Sequence, residues 1–180
     1  MRHLSTPDQP SARRPMRVTS WMWLGPVAFL VHDGEELATI GPWLAAHRAE
    51  LPGIARVLAS VTVEGFAASV LVLLCGLVLA TLHGVHRARR GRRSLPWLAV
   101  AGAFVANGIT HAAQAAWFGG YVPGVVTAVL VSVPWGIATA RAYRRAELAS
   151  PRMLIAAGSL GLLLQVPLAL AALAAGKATR

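Results

Sequence analysis

Apolar residues are concentrated in five long stretches of the chain, which short polar or glycine-rich connections separate. A helix needs about 20 mostly apolar residues to cross a bilayer, and each stretch is long enough. The sequence His-Asp-Gly-Glu-Glu at 32–36 interrupts the first stretch, whereas the second is almost continuously apolar. The pattern predicts an all-α fold, a polytopic membrane helix bundle with five transmembrane helices. The predicted spans are approximately 18–41, 57–83, 95–118, 121–143 and 152–175.

The composition excludes the main alternatives to a membrane protein. Hydrophobic residues make up 56% of the 180 residues and charged residues 13%. A typical soluble domain has about 25% charged residues. So much apolar surface also excludes intrinsic disorder. The single cysteine, Cys75, lies in an apolar run, and one cysteine cannot form a disulfide framework or a thiolate metal cluster.

The positions of the basic residues along the chain explain the net charge of +10. Cytoplasmic loops of membrane proteins are enriched in Lys and Arg. A cytoplasmic N-terminus places 13 of the 17 Lys and Arg residues on the inner side. We therefore expect an N-in/C-out topology, with residues 1–17 as a disordered cytoplasmic tail and 18–176 as a single five-helix membrane domain. Membrane lipids are the expected partners of the basic loops, and nucleic acid is not.

The candidate chemistry lies in ionisable residues within the predicted spans. Such residues are costly in a bilayer and usually face a bundle interior or a functional cavity. His32, Glu35 and Glu36 share one helix face because they are related by i, i+3 and i+4. Asn107 and His111 are one turn apart on the third span, with a glutamine one turn further on. The first and third spans therefore each present a polar face.

The predicted depths bring these faces to one level of the membrane. With a rise of about 1.5 Å per residue, 32–36 lies about 18–24 Å and 107–111 about 16–22 Å from the inner face. Glu64, on the antiparallel second span, lies about 20 Å from the same face, and Gln165 on the fifth span reaches a similar level. No Lys or Arg lies in the central part of any span. We therefore expect a bound cation or protons to balance the carboxyl groups.

Two short motifs carry a resemblance to a known family. Residues 32–36 read HxxEE, residues 107–111 read NxxxH, and a Tyr-Val-Pro-Gly turn follows at 121–124. Over about 20–143, the chain resembles the HXXEE family of small bacterial integral membrane proteins. The resemblance implies a multi-pass protein of the bacterial cell membrane in which catalysis is expected but no reaction is assigned. The matching positions are His32, Glu35, Glu36, Asn107 and His111.

Two histidines and three glutamates are a suitable donor set for Fe, Mn or Zn. We predict a divalent metal ion at this level, with Asn107 orienting a ligand. The expected function is that of a metal-dependent membrane enzyme acting on a lipid-like or other apolar small-molecule substrate. The predicted ligands are His32, Glu35, Glu36, Glu64 and His111. The predicted catalytic residues are Glu35, Glu36, Asn107 and His111.

Three other interpretations stay open. Buried carboxyls are good proton donors, so the cluster also fits a metal-free acid–base isomerase or cyclase, with Glu35 or Glu36 as the acid and His111 as the base. Acids and histidines at one level also fit the relay of a proton- or cation-coupled transporter. A purely structural role fits less well, because interhelical polar contacts average about 0.6 kcal/mol and do not offset the burial of three carboxyls.

Overall fold

The computed structural model describes residues 13–51 and 62–178, and helices without any strand make up this part of the chain. The helices are α1 (Arg13–His47), α2 (Val63–Arg89), α3 (Leu95–Phe118), α4 (Val125–Arg145) and α5 (Pro151–Ala178). Within the described ranges, α2, α3 and α4 are each long and apolar enough to cross a membrane. The all-α class and the order of five helices are confirmed, and the N-in/C-out orientation stays a prediction.

Capping residues determine where α2 and α3 begin and where α3 ends. Thr62 Oγ1 accepts a hydrogen bond from the backbone N–H of Gly65 at 3.2 Å, and Ser94 Oγ accepts one from Trp97 N–H at 3.3 Å. These hydroxyls bind N–H groups that have no partner inside the helix. Gly119 ends α3 in the left-handed conformation, with a φ of 65°, which a residue without a Cβ adopts at little cost.

The helix boundaries differ from the predicted spans wherever the apolar run and the helix do not end together. The prediction of 95–118 matches α3. However, α1 begins at Arg13, inside the segment predicted as a disordered tail, and residues 1–12 lie outside the described residues. The apolar run predicted a start at 57 for the second helix, but α2 begins at Val63 and continues through the basic residues that follow the run.

An aromatic core packs the end of the bundle that carries the basic connections. Trp97 of α3, Tyr143 of α4 and Met22 of α1 are fully buried there. The rings of Trp97 and Trp135 meet edge to face with centroids 5.9 Å apart, and Trp135 Nε1 donates to the backbone carbonyl of Trp21 at 2.9 Å. The core fixes α1, α3 and α4 against one another, and their motif residues lie beyond it, toward the opposite end.

The fifth helix packs against α3 through glycines. A Cβ atom added to Gly102 of α3 would lie 2.5 Å from the Cα of Gly158 in α5. Such close backbone approach is typical of membrane helices that meet at small residues. Gly102 precedes Asn107 by five residues, which places it on a different face of α3 from the NxxxH motif. The motif is therefore free to face α1 and α4.

Candidate metal centre

Three side chains from α1 and α3 form a compact group of metal-ligating type. His32, Glu36 and His111 each offer one donor atom, and these atoms lie within 4.8 Å of one another. Glu36 Oε1 lies 3.1 Å from His111 Nε2 and 3.6 Å from His32 Nε2. Both histidines are buried, and their rings meet edge to face with centroids 4.9 Å apart. We refer to these three residues as the His/Glu group.

The helical spacing of α1 and a glycine at the start of α4 make this group possible. His32 and Glu36 are one turn apart, so both side chains extend from the same face of α1. Gly124 packs against that face at the N-cap of α4, with a φ of 81°. A Cβ at this position would lie 2.8 Å from His32 Cε1 and 2.7 Å from Glu36 Cγ. A glycine is therefore required for the two helices to approach so closely.

Glu35 binds the start of α4. Its Oε2 accepts hydrogen bonds from Thr127 N–H at 2.7 Å and from Thr127 Oγ1 at 2.6 Å, and its Oε1 accepts one from Val126 N–H at 3.4 Å. Gly124, at the N-cap of α4, has no side chain for this purpose. Glu35 therefore caps α4 from a different helix, where the positive end of the helix dipole favours a carboxylate.

The phenol of Tyr121 completes the surroundings of Glu35. Tyr121 OH donates to Glu35 Oε1 at 2.8 Å, and the Tyr121 carbonyl accepts a hydrogen bond from Trp43 Nε1 at 2.9 Å. Burial raises the pKa of Tyr121, and the nearby Glu35 carboxylate raises it further. The phenol therefore keeps its proton and acts as a donor. The connection between α3 and α4 is thus tied to α1 at two points.

His32 has a partner on each ring nitrogen. Its Nδ1 lies 3.1 Å from Thr127 Oγ1, and its Nε2 lies 2.6 Å from Asn107 Nδ2. By contrast, His111 Nε2 faces Glu36, and His111 Nδ1 is buried without a hydrogen-bond partner among the described residues. The ring of His32 is therefore held from both sides, by α4 and by α3.

The structure brings together three of the five residues predicted as ligands. Glu35 lies beside the group but points to the start of α4. Glu64 is not in the group: it is exposed in the first turn of α2, because this helix begins at Val63 and the depth prediction assumed an earlier start. Gln114 is exposed, and the side chain of Gln165 lies outside the described part of the chain.

The sequence pattern predicts a site on the first three helices, and the structure adds residues at the start of the fourth helix to it. Tyr121, Gly124 and Thr127 all contact the motif residues. The Tyr-Val-Pro-Gly turn was visible as part of the family resemblance, but its position beside HxxEE was not. No signal marked Thr127, since one threonine in an apolar helix is equally typical of ordinary helix packing.

The comparisons with known proteins agree with the motif. A family model described as "Protein of unknown function with HXXEE motif" matches residues 23–139. The match includes all three members of the His/Glu group, together with Glu35, Asn107 and Thr127. No curated protein and no solved structure matches the chain.

Proposed function

The chain belongs to the HXXEE family, whose function is unknown, and we propose that it is a membrane-embedded, metal-dependent enzyme. Its substrate is a lipid or another apolar small molecule. The observation that carries the proposal is the meeting of His32, Glu36 and His111 within a bundle of membrane-spanning type. We expect a site within such a bundle to be reached from the bilayer, which favours an apolar substrate.

The donor set and its spacing support a divalent ion. Two imidazole nitrogens and one carboxylate oxygen suit Fe, Mn or Zn. Ligand bonds of about 2.0–2.1 Å in a tetrahedral site place neighbouring donor atoms about 3.3 Å apart. The separations of 3.1 and 3.6 Å from Glu36 Oε1 to the two histidines lie on either side of that value. The ion would also balance the charge of Glu36, because the central parts of the predicted spans contain no Lys or Arg.

A set of three protein ligands favours catalysis over a structural role. Structural zinc sites have four protein ligands, whereas catalytic sites have three and leave a position for water or substrate. An ion held here would activate water or polarise a substrate oxygen. The side chain of Glu36 is 18% exposed, and those of His32 and His111 are 6% and 9% exposed. We therefore place the substrate on the Glu36 side of the group.

Metal analysis of the purified protein tests the proposal. We expect stoichiometric Fe, Mn or Zn in wild-type protein prepared without chelators, and loss of this metal in His32→Ala and His111→Ala. His83→Ala is the matched control, because His83 is exposed near the basic end of α2. Glu64→Gln is expected to keep its metal. This result would show that Glu64, one of the five predicted ligands, does not bind the ion. Metal-free wild-type protein, or full metal content in both histidine variants, would contradict the proposal.

Acid–base catalysis without a metal is the second candidate, and the close pair formed by Glu36 and His111 favours it. Their 3.1 Å separation is a hydrogen-bond distance across which a proton can move. Incubation of the protein with a membrane lipid extract, followed by mass spectrometry, distinguishes the two candidates. Both predict a new product that is lost in Glu36→Gln. Only the metal enzyme loses the product on addition of a chelator and regains it when metal is restored.

A further inference from the structure

We propose that Glu35 is a positioning residue, which acts through Thr127 to fix the tautomer of His32. The two glutamates of the HxxEE motif then have different tasks, since Glu36 belongs to the His/Glu group and Glu35 orients a histidine of that group. This inference rests on the proposed function and adds to it the residues that prepare His32 to bind the ion.

Thr127 has one hydroxyl hydrogen, and the surrounding oxygens determine where it points. A threonine hydroxyl has one hydrogen to donate and two lone pairs to accept with. Thr127 Oγ1 lies 2.6 Å from Glu35 Oε2 and 3.4 Å from the carbonyl oxygen of Gly124. A carboxylate oxygen can only accept, so two oxygens this close need the hydrogen between them. The hydroxyl of Thr127 therefore donates to Glu35.

The tautomer of His32 follows from the direction of this hydrogen bond. Thr127 Oγ1 has only lone pairs left for His32 Nδ1, which lies 3.1 Å away. Nδ1 must then carry the hydrogen and donate it to Thr127. In a neutral imidazole the other nitrogen is an acceptor. His32 Nε2 therefore carries the lone pair, which faces Asn107 Nδ2 at 2.6 Å, while Glu36 Oε1 lies 3.6 Å away.

This is the form of histidine that binds metal ions. Ligating histidines are neutral, and a hydrogen bond from the second ring nitrogen fixes the tautomer and the ring orientation. Here the chain of hydrogen bonds runs from His32 to Thr127 and returns to α1 at Glu35. The backbone N–H of Thr127 and the phenol of Tyr121 hold Glu35 in place. His32 is thus oriented whether or not an ion is bound.

Nitrogen-15 NMR of histidine-labelled protein in nanodiscs, without metal, tests the tautomer directly. Loss of one signal in His32→Ala assigns His32. We expect protonation at Nδ1 in the wild type and in Thr127→Ser, which keeps the hydroxyl. In Thr127→Val, Nδ1 loses its acceptor, so we expect protonation to move to Nε2, where the Asn107 amide accepts once it turns its oxygen toward the ring. Thr81→Val is the control for removing a buried hydroxyl, since Thr81 donates only to its own helix at Leu77.

Titration with Zn²⁺ then links the tautomer to binding. Loss of a residue that orients a ligand lowers metal affinity about 10- to 100-fold, which we expect for Thr127→Val and not for Thr127→Ser. Thr127→Ala serves as a second variant if valine prevents folding. Protonation at Nε2 in the wild type, or an unchanged tautomer in both Thr127→Val and Thr127→Ala, would overturn the inference. The expected tautomers without any Zn²⁺ binding would support the positioning role and contradict the proposed function.

Discussion

At the scale of single residues, Asn107 and a metal ion require the same lone pair. Asn107 Nδ2 lies 2.6 Å from His32 Nε2, the atom proposed as a ligand. The amide must therefore turn away when an ion binds, and Asn107→Ala removes this competition. A hydrogen bond contributes about 1 kcal/mol, so we expect the Kd for Zn²⁺ to fall about fivefold.

Zn²⁺ titration of Asn107→Ala against the wild type measures this effect. Gln114→Ala is the matched control, because it removes an exposed amide from the same helix. The sequence predicted that Asn107 orients a ligand, and that role requires weaker binding in Asn107→Ala. The direction of the change in Kd therefore decides between competition and orientation.

The His/Glu group could be predicted from the sequence because helical spacing is local. His32 and Glu36 occupy one face wherever α1 lies, and an ionisable residue at His111 in an apolar span is conspicuous. The separate task of Glu35 could not be predicted in this way. It depends on Thr127, which is 92 residues away in the sequence, and no local pattern encodes that contact.

At the scale of helices, the close contact between α1 and the start of α4 depends on Gly124. A Cβ there meets atoms of His32 and Glu36 at 2.7–2.9 Å, and the φ of 81° disfavours any side chain. The left-handed conformation costs a non-glycine residue about 1–2 kcal/mol. We expect Gly124→Ala to lower the free energy of unfolding by at least that amount and to weaken Zn²⁺ binding.

Thermal unfolding in detergent and Zn²⁺ titration check this prediction. Gly120→Ala is the control, because Gly120 lies in the same connection and does not have a positive φ. A Cβ added to Gly120 would also meet no atom of the described residues within 4 Å. An equal loss of Tm in both variants would show that the connection is sensitive in general and that the contact with α1 is not special.

The start of α2 explains why Glu64 lies away from the His/Glu group. The apolar run placed the start of the second helix at 57, and a depth of about 10 Å below the outer face followed for Glu64. Thr62 caps the helix instead, so Glu64 lies in its first turn. Depth within a membrane is counted from the end of a helix. A capping residue that the hydropathy pattern does not reveal therefore shifts the depth of Glu64 by six residues, or about 9 Å.

At the scale of the whole molecule, packing and chemistry occupy different parts of the bundle. The aromatic core around Trp97 and Tyr143 lies beside the basic connections, and the His/Glu group lies further along the same helices. Glycines at Gly102 and Gly158 join α5 to α3 on another face. The aromatic core can therefore hold α1, α3 and α4 in register, while the other end of these helices carries the His/Glu group with Glu36 partly exposed.

The orientation of this bundle in the membrane determines which compartment the site is closer to, and cysteine labelling tests it. Cys75→Ser provides a cysteine-free background, into which Arg90→Cys or Gly120→Cys is introduced. Both positions are exposed, one after α2 and the other after α3. In the predicted topology, 13 of the 17 Lys and Arg residues share the side of Arg90, and the positive-inside rule places that side in the cytoplasm. A membrane-impermeant maleimide should label Gly120→Cys in intact cells and Arg90→Cys only after permeabilisation. The reverse pattern would contradict the N-in topology and place the His/Glu group in the inner half of the membrane.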